Sequence, residues 1–116
     1  MKKQKLSDSI FIFSLEENET GIIENFPSCC IISLYFKKWP ESIGDAQIAL
    51  MFNLHNGQKK SRSYLINNSR EPERIDLSFD ELDIICSDIV SILISYKLGA
   101  RISPPCLLDI VCDLNG

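Results

Sequence analysis

Apolar residues are spaced like strands through the first half of the chain and like a helix near its end. Residues 9–14 (Ser-Ile-Phe-Ile-Phe-Ser) form a short β-branched and aromatic run with polar flanks, which predicts a strand. An acidic loop, Glu16 to Thr20, follows it, and residues 21–26 read as a second short strand. Pro27-Ser28 interrupts the chain. Residues 29–38 then place Cys30, Ile32, Leu34 and Phe36 on one face and Cys29, Ile31, Ser33 and Tyr35 on the other. So apolar a stretch belongs in the middle of a sheet. Trp39-Pro40 ends it, because proline supplies no ladder donor.

The sharpest local signal is a hairpin. Residues 47–54 alternate Ile48, Leu50, Phe52 and Leu54 against Gln47, Ala49, Met51 and Asn53. Asn56-Gly57 follows, the pair best suited to the positive φ values of a type I′ turn. The return strand covers residues 59–67. Its register has two solutions: a two-residue turn sets Leu65 opposite Ile48, and a three-residue turn with a bulge sets Tyr64 there. One residue of slip exchanges the faces.

Beyond a polar loop containing Pro72, the pattern changes to a helical one. Ser78-Phe79-Asp80-Glu81 has the form of a capping box, with Leu77 and Leu82 at the positions of a hydrophobic staple. Asp80, Glu81 and Asp83 suit a helix N-terminus and Lys97 its other end, and Gly99 can terminate it. At 100° per residue the apolar residues from Phe79 to Tyr96 cover an arc of roughly 200°, about twice what one sheet face needs. Such a helix would need a second apolar neighbour, either the C-terminal segment or another protein. If Ser78 is its cap, Ser78→Ala should cost about 1 kcal/mol. The tail reads either as a short helix begun by Ser103-Pro104 or as a strand with Leu108, Ile110, Cys112 and Leu114 on one side; the helix is the preferred reading. The expected fold is therefore one α+β domain over residues 1–116. It has a mainly antiparallel meander of four or five strands, one long amphipathic helix packed on a face, and a short C-terminal helix or strand.

Composition narrows the chemistry. The 116 residues are 45% hydrophobic and 24% charged, in the globular range, with net charge −4. The five cysteines (29, 30, 86, 106, 112) sit in apolar surroundings, are odd in number and lack zinc-site spacing, so they read as reduced thiols used as small hydrophobes. His55, the single histidine, falls at the hairpin tip. The five glycines are too dispersed for a phosphate loop. No cofactor or metal is expected, and no enzymatic role. No apolar run is long enough to span a membrane, and the basic start at Lys2, Lys3 and Lys5 leads into no apolar core of signal-peptide length. A cytoplasmic location is expected.

Charge is blocky: +3 over residues 1–5, −5 over 6–36, +3 over 37–74 and −5 over 75–116. The basic groups form separate clusters in an acidic domain, which argues against nucleic acid. Blocks of this kind steer a charged protein partner. Seventeen isoleucines against two valines point to an AT-rich coding source such as a phage or mobile element. The expected function is a small protein-binding module: an inhibitor, immunity-type protein, adaptor or secretion chaperone. Its candidate contact residues are Tyr35, Trp39 and Met51, with Glu16, Glu17, Glu19 and Glu24 facing a basic partner. The alternatives are a subunit that self-associates through the helix, and a small enzyme or ligand binder that uses a thiol or carboxylates.

Overall fold

The computed structural model describes residues 2–17, 19–36, 46–66, 73–98 and 108–115. They form nine strands: β1 (Lys2–Lys5), β2 (Ile10–Leu15), β3 (Gly21–Ile23), β4 (Ile31–Phe36), β5 (Ala46–Leu54), β6 (Lys59–Ile66), β7 (Glu73–Ser78), β8 (Ile89–Leu98) and β9 (Leu108–Asn115). One sheet has the order β1-β2-β9-β4-β7 and the other β3-β8-β5-β6, and every pair is antiparallel. With β1 set aside, the pairs β5–β6, β4–β7, β3–β8 and β2–β9 nest around the Asn56-Gly57 hairpin. The chain is thus a long two-stranded ribbon doubled back at that tip. Rolling the ribbon brings β4 against β9 and β5 against β8. This is a jelly roll of two packed sheets.

The core lies between the sheets. Phe11, Phe13, Leu15, Ile32, Leu34, Phe36, Ile110 and Cys112 point inward from the five-stranded sheet; Ile48, Leu50, Phe52, Ile92, Ile94 and Tyr96 meet them from the other. The Tyr96 hydroxyl donates to the Leu15 carbonyl (2.7 Å), so its polar tip is satisfied inside this layer. Gly21 leaves room for the Phe13 ring, since a Cβ there would lie 2.7 Å from Phe13 Cδ1.

The α+β expectation is overturned, because no α-helix exists among the described residues. The segment read as a long helix is one turn followed by a strand. The Leu82 N–H bonds to the Ser78 carbonyl (3.2 Å), but Asp83 turns left-handed (φ 56°). The Ile84 N–H then reaches the Phe79 carbonyl (2.9 Å) and the Asp83 N–H the Asp80 carbonyl (3.1 Å). These two bonds are a Schellman stop, with Phe79 and Ile84 both buried as its apolar pair. A 3-10 turn, Cys86–Asp88, leads into β8. The wide apolar arc belongs to the two faces of that strand: Ile92, Ile94 and Tyr96 inward, Leu93 and Ser95 outward. Five isoleucines and a valine between residues 84 and 94 favour this outcome, because β-branched side chains lose χ1 freedom in a helix and pack well on a pleat.

Two further expectations change, and an open register is decided. The tail is strand β9, not a helix, and it lies between β2 and β4 with Leu108, Ile110, Cys112 and Leu114 buried. The sheet is not a meander, since β2, β4 and β9 are neighbours from distant parts of the chain. The hairpin takes the three-residue solution, Ile48 opposite Tyr64, with positive φ at Gly57 alone (83°). A type I′ turn needs positive φ at both central residues.

Both open sides of the sandwich are closed by cationic side chains that reach across to the opposite sheet. On one side Lys3 of β1 donates to the Ile22 carbonyl of β3 (2.5 Å) and stands over the rings of Phe11 and Phe13. On the other, Lys60 and Arg62 of edge strand β6 donate to the carbonyls of Asp83 and Leu82, in the turn after β7. Charges turned inward on an edge strand also discourage pairing with a foreign strand.

Candidate functional site

Each sheet has an outer face, and the two differ in how their polar groups are used. On the five-stranded sheet the Ser14 hydroxyl donates to Asp109 Oδ1 (2.5 Å) and the nearly inaccessible Ser33 hydroxyl to Asp76 Oδ1 (2.6 Å). Arg74 Nε donates to the same Asp76 oxygen (2.9 Å), and its guanidinium lies 5.2 Å from the centre of the Tyr35 ring. The hydroxyl and the guanidinium together hold the Asp76 carboxyl below its ordinary range. Ser14, Ser33, Tyr35, Arg74, Asp76 and Asp109 on this face are thus engaged with one another.

The outer face of the four-stranded sheet carries a trough. Registration sets Ser95 of β8, Ala49 of β5 and Ser63 of β6 in one row across the strands. Small side chains in a row leave a floor about 10 Å long at the usual strand spacing. The next row on one side is Ile22, Leu93, Met51 and Ser61; on the other it is Lys97, Gln47 and Leu65. Glu17, Glu19 and Thr20, from the β2–β3 loop, border the same depression, whose volume is about 320 Å³. That loop is fixed by a reciprocal turn: the Glu19 N–H bonds to the Glu16 carbonyl (3.0 Å) and the Glu16 N–H to Glu19 Oε1 (2.9 Å). Among the described residues the side chains of Gln47, Ser63, Ser95 and Lys97 hold no hydrogen bond or ion pair. The trough thus has an unpartnered polar floor and flank facing an apolar row that ends in exposed Ile22.

A second depression, about 450 Å³, lies at one end of the sandwich and is lined by Asn25, Phe26, Ser28, His55, Cys86, Ser87, Ile89 and Val90. The hairpin reaches it because the His55 N–H bonds to the Asp88 carbonyl (2.8 Å). A thiol and the imidazole therefore share this hollow. Cys86 Sγ nonetheless faces Cys29 Sγ at 3.6 Å, and among the described residues it makes no hydrogen bond to His55. No cluster of three histidine, cysteine or carboxylate side chains suited to a metal occurs among the described residues.

The residues singled out from the sequence are dispersed. Glu16, Glu17 and Glu19 stay together in the β2–β3 loop, where Glu17 and Glu19 border the trough, and Met51 lies in the row next to its floor. Glu24 follows β3 and sits at the opposite end of that strand. Tyr35 is on the outer face of the other sheet, so a patch combining it with Met51 does not exist. Trp39 lies outside the described residues. Gln47, Ser63, Ser95 and Lys97 were missed. Only the cross-strand registers bring them together, and β8 could not be registered while its sequence was read as helix.

No family model and no curated protein matches the sequence. In structure the chain is similar to a non-crystalline cellulose specific carbohydrate-binding module, CBM28, known from X-ray crystallography. The TM-score is 0.53 at 12% identity, and the match covers 91% of this chain and 74% of that one. At this identity the likeness concerns the fold, two packed antiparallel sheets, and nothing finer.

Proposed function

We propose that the protein is a non-catalytic binding module whose ligand is another protein, seated in the trough of the four-stranded sheet. The observation that carries this reading is the contrast between the two outer faces. On one, Ser14, Ser33, Arg74, Asp76 and Asp109 are partnered internally; on the other, the trough presents unpartnered hydroxyl, amide and ammonium groups beside an apolar row. Apolar residues flanked by polar groups are the usual composition of a recognition surface. Glu17 and Glu19 on one border and Lys97 on another set charged groups of both signs around the trough, which fix the orientation of a partner. Leu65, 68% exposed on edge strand β6, extends the contact area past the floor.

A second reading has one specific observation in its favour. The floor's hydroxyls and amide also suit a polyhydroxylated ligand, and the fold is shared with a module described as cellulose specific. A single experiment separates the two. Ala49→Trp would fill the trough while leaving the inner face of β5 unchanged. A partner protein that binds the natural chain and Tyr35→Ala, but not Ala49→Trp or Glu17→Lys/Glu19→Lys, supports the protein reading. Chemical-shift changes at Ala49 and Ser95 on adding soluble β-glucan oligosaccharides would replace it with the second.

A further inference from the structure

Two thiols from separate parts of the fold meet beside the end depression. Cys29 Sγ lies 3.6 Å from Cys86 Sγ, and the Cys29 backbone N–H donates to Cys86 Sγ (3.3 Å). A disulfide bond is about 2.05 Å long, so the sulfurs need to approach by about 1.5 Å. Neither residue is held in a strand ladder. Cys29 precedes β4 in irregular chain, and Cys86 opens the 3-10 turn, flanked by extended Ile85 and Ile89. The chain next to Cys29 is anchored: the Cys30 N–H bonds to the Asn115 carbonyl (2.7 Å), and the Phe79 N–H bonds to the Cys30 carbonyl (2.8 Å). Closure therefore falls to the short turn carrying Cys86.

The other described cysteines do not compete. Cys112 is buried on the inner face of β9, and Cys30 points to solvent. Access is one-sided as well. Cys86 is half-exposed and lines the depression, whereas Cys29 is buried. Burial, with the contact to Cys86, pushes the Cys29 thiol up to about 12, so an external reagent meets Cys86 first.

We propose that Cys29 and Cys86 are a dithiol site that closes to an intramolecular disulfide by exchange with a small-molecule disulfide. The Cys86 thiolate attacks one sulfur of the reagent, whose S–S bond breaks and whose other half leaves as a thiol. Cys29 gives its proton to solvent and attacks Cys86 Sγ, which expels the second half. Two protein thiols are oxidised and one small disulfide is reduced to two thiols. The bond staples the segment between β3 and β4 to the turn between β7 and β8, across a separation of 57 residues.

The test is incubation of the native protein with oxidised glutathione, followed by intact-mass measurement and non-reducing peptide mapping. The expected product is lighter by two hydrogens, contains a Cys29–Cys86 cross-linked peptide and melts at least about 5 °C higher. Dithiothreitol should reverse all three changes. Cys86→Ser, shown to be folded by circular dichroism, should gain neither cross-link nor melting shift. A glutathione adduct that persists on Cys86, a cross-link to another cysteine, or unchanged mass would overturn the proposal. The map of the natural chain decides this even where the variant is unstable.

Discussion

Gly21 shows how one side chain can be excluded by its neighbours. The missing Cβ is the space that the Phe13 ring occupies, with Ile94 Cγ2 a further 3.0 Å neighbour. Both surroundings belong to the core, so neither is free to retreat. Gly21→Ala should therefore lower stability by about 1–3 kcal/mol, the usual cost of overfilling a packed site, and chemical denaturation would measure it. Asp76 makes a different prediction, one that depends on pH. Its carboxyl is held below the ordinary range by Ser33 and Arg74, so the folded state binds its proton less readily than the unfolded chain. The resulting stabilisation is complete above the unfolded carboxylate pKa, roughly 4, and is lost as pH falls through the lower folded value. Asp76→Asn should melt below the natural protein at pH 7, and the difference should shrink by pH 3. A constant difference would mean that the ionised carboxylate contributes nothing.

Among the elements, the hairpin and the segment after β7 show what a sequence conveys and what it withholds. The alternation of Ile48, Leu50 and Phe52 identified β5 and its inward face, and Asn56-Gly57 identified the tip. Those signals are local, and one residue determines the detail: Gly57 alone needs positive φ. Gly57→Ala should cost about 1–2 kcal/mol, and Asn56→Ala much less. Ser78 to Glu81 also carried a true local signal, since the chain does begin a helical turn there. The error lay in extending it. A capping box marks a start and says nothing about length, and a strand whose two faces are both apolar mimics a broad helical stripe. Leu93 beside Ile92 and Ile94 is such a case. With no helix to cap, Ser78→Ala should change stability by less than about 0.5 kcal/mol in urea denaturation. The self-associating alternative was argued from that helix, whose apolar residues are now divided among the core, Leu93 beside the trough floor, and exposed Ile85 and Val90.

For the whole molecule, pairing was the illegible part. Ribbon partners such as β2 and β9 lie nearly a chain length apart, and hydrophobic period carries no information about which distant strand is adjacent. Assembly of the binding face depends on those pairings, so Ser95, Ala49 and Ser63 become neighbours only when β8, β5 and β6 are registered. The acidic loop was legible as a group, whereas the groups it borders were not. The functional account therefore rests on one face of a rolled ribbon. A photo-crosslinking amino acid placed at position 49, in cells that produce the protein, tests it most directly, with position 35 on the opposite face as the comparison. The account predicts a discrete cross-linked protein from position 49 and none from position 35. Cross-linking from position 35 alone, or from neither position, would contradict it.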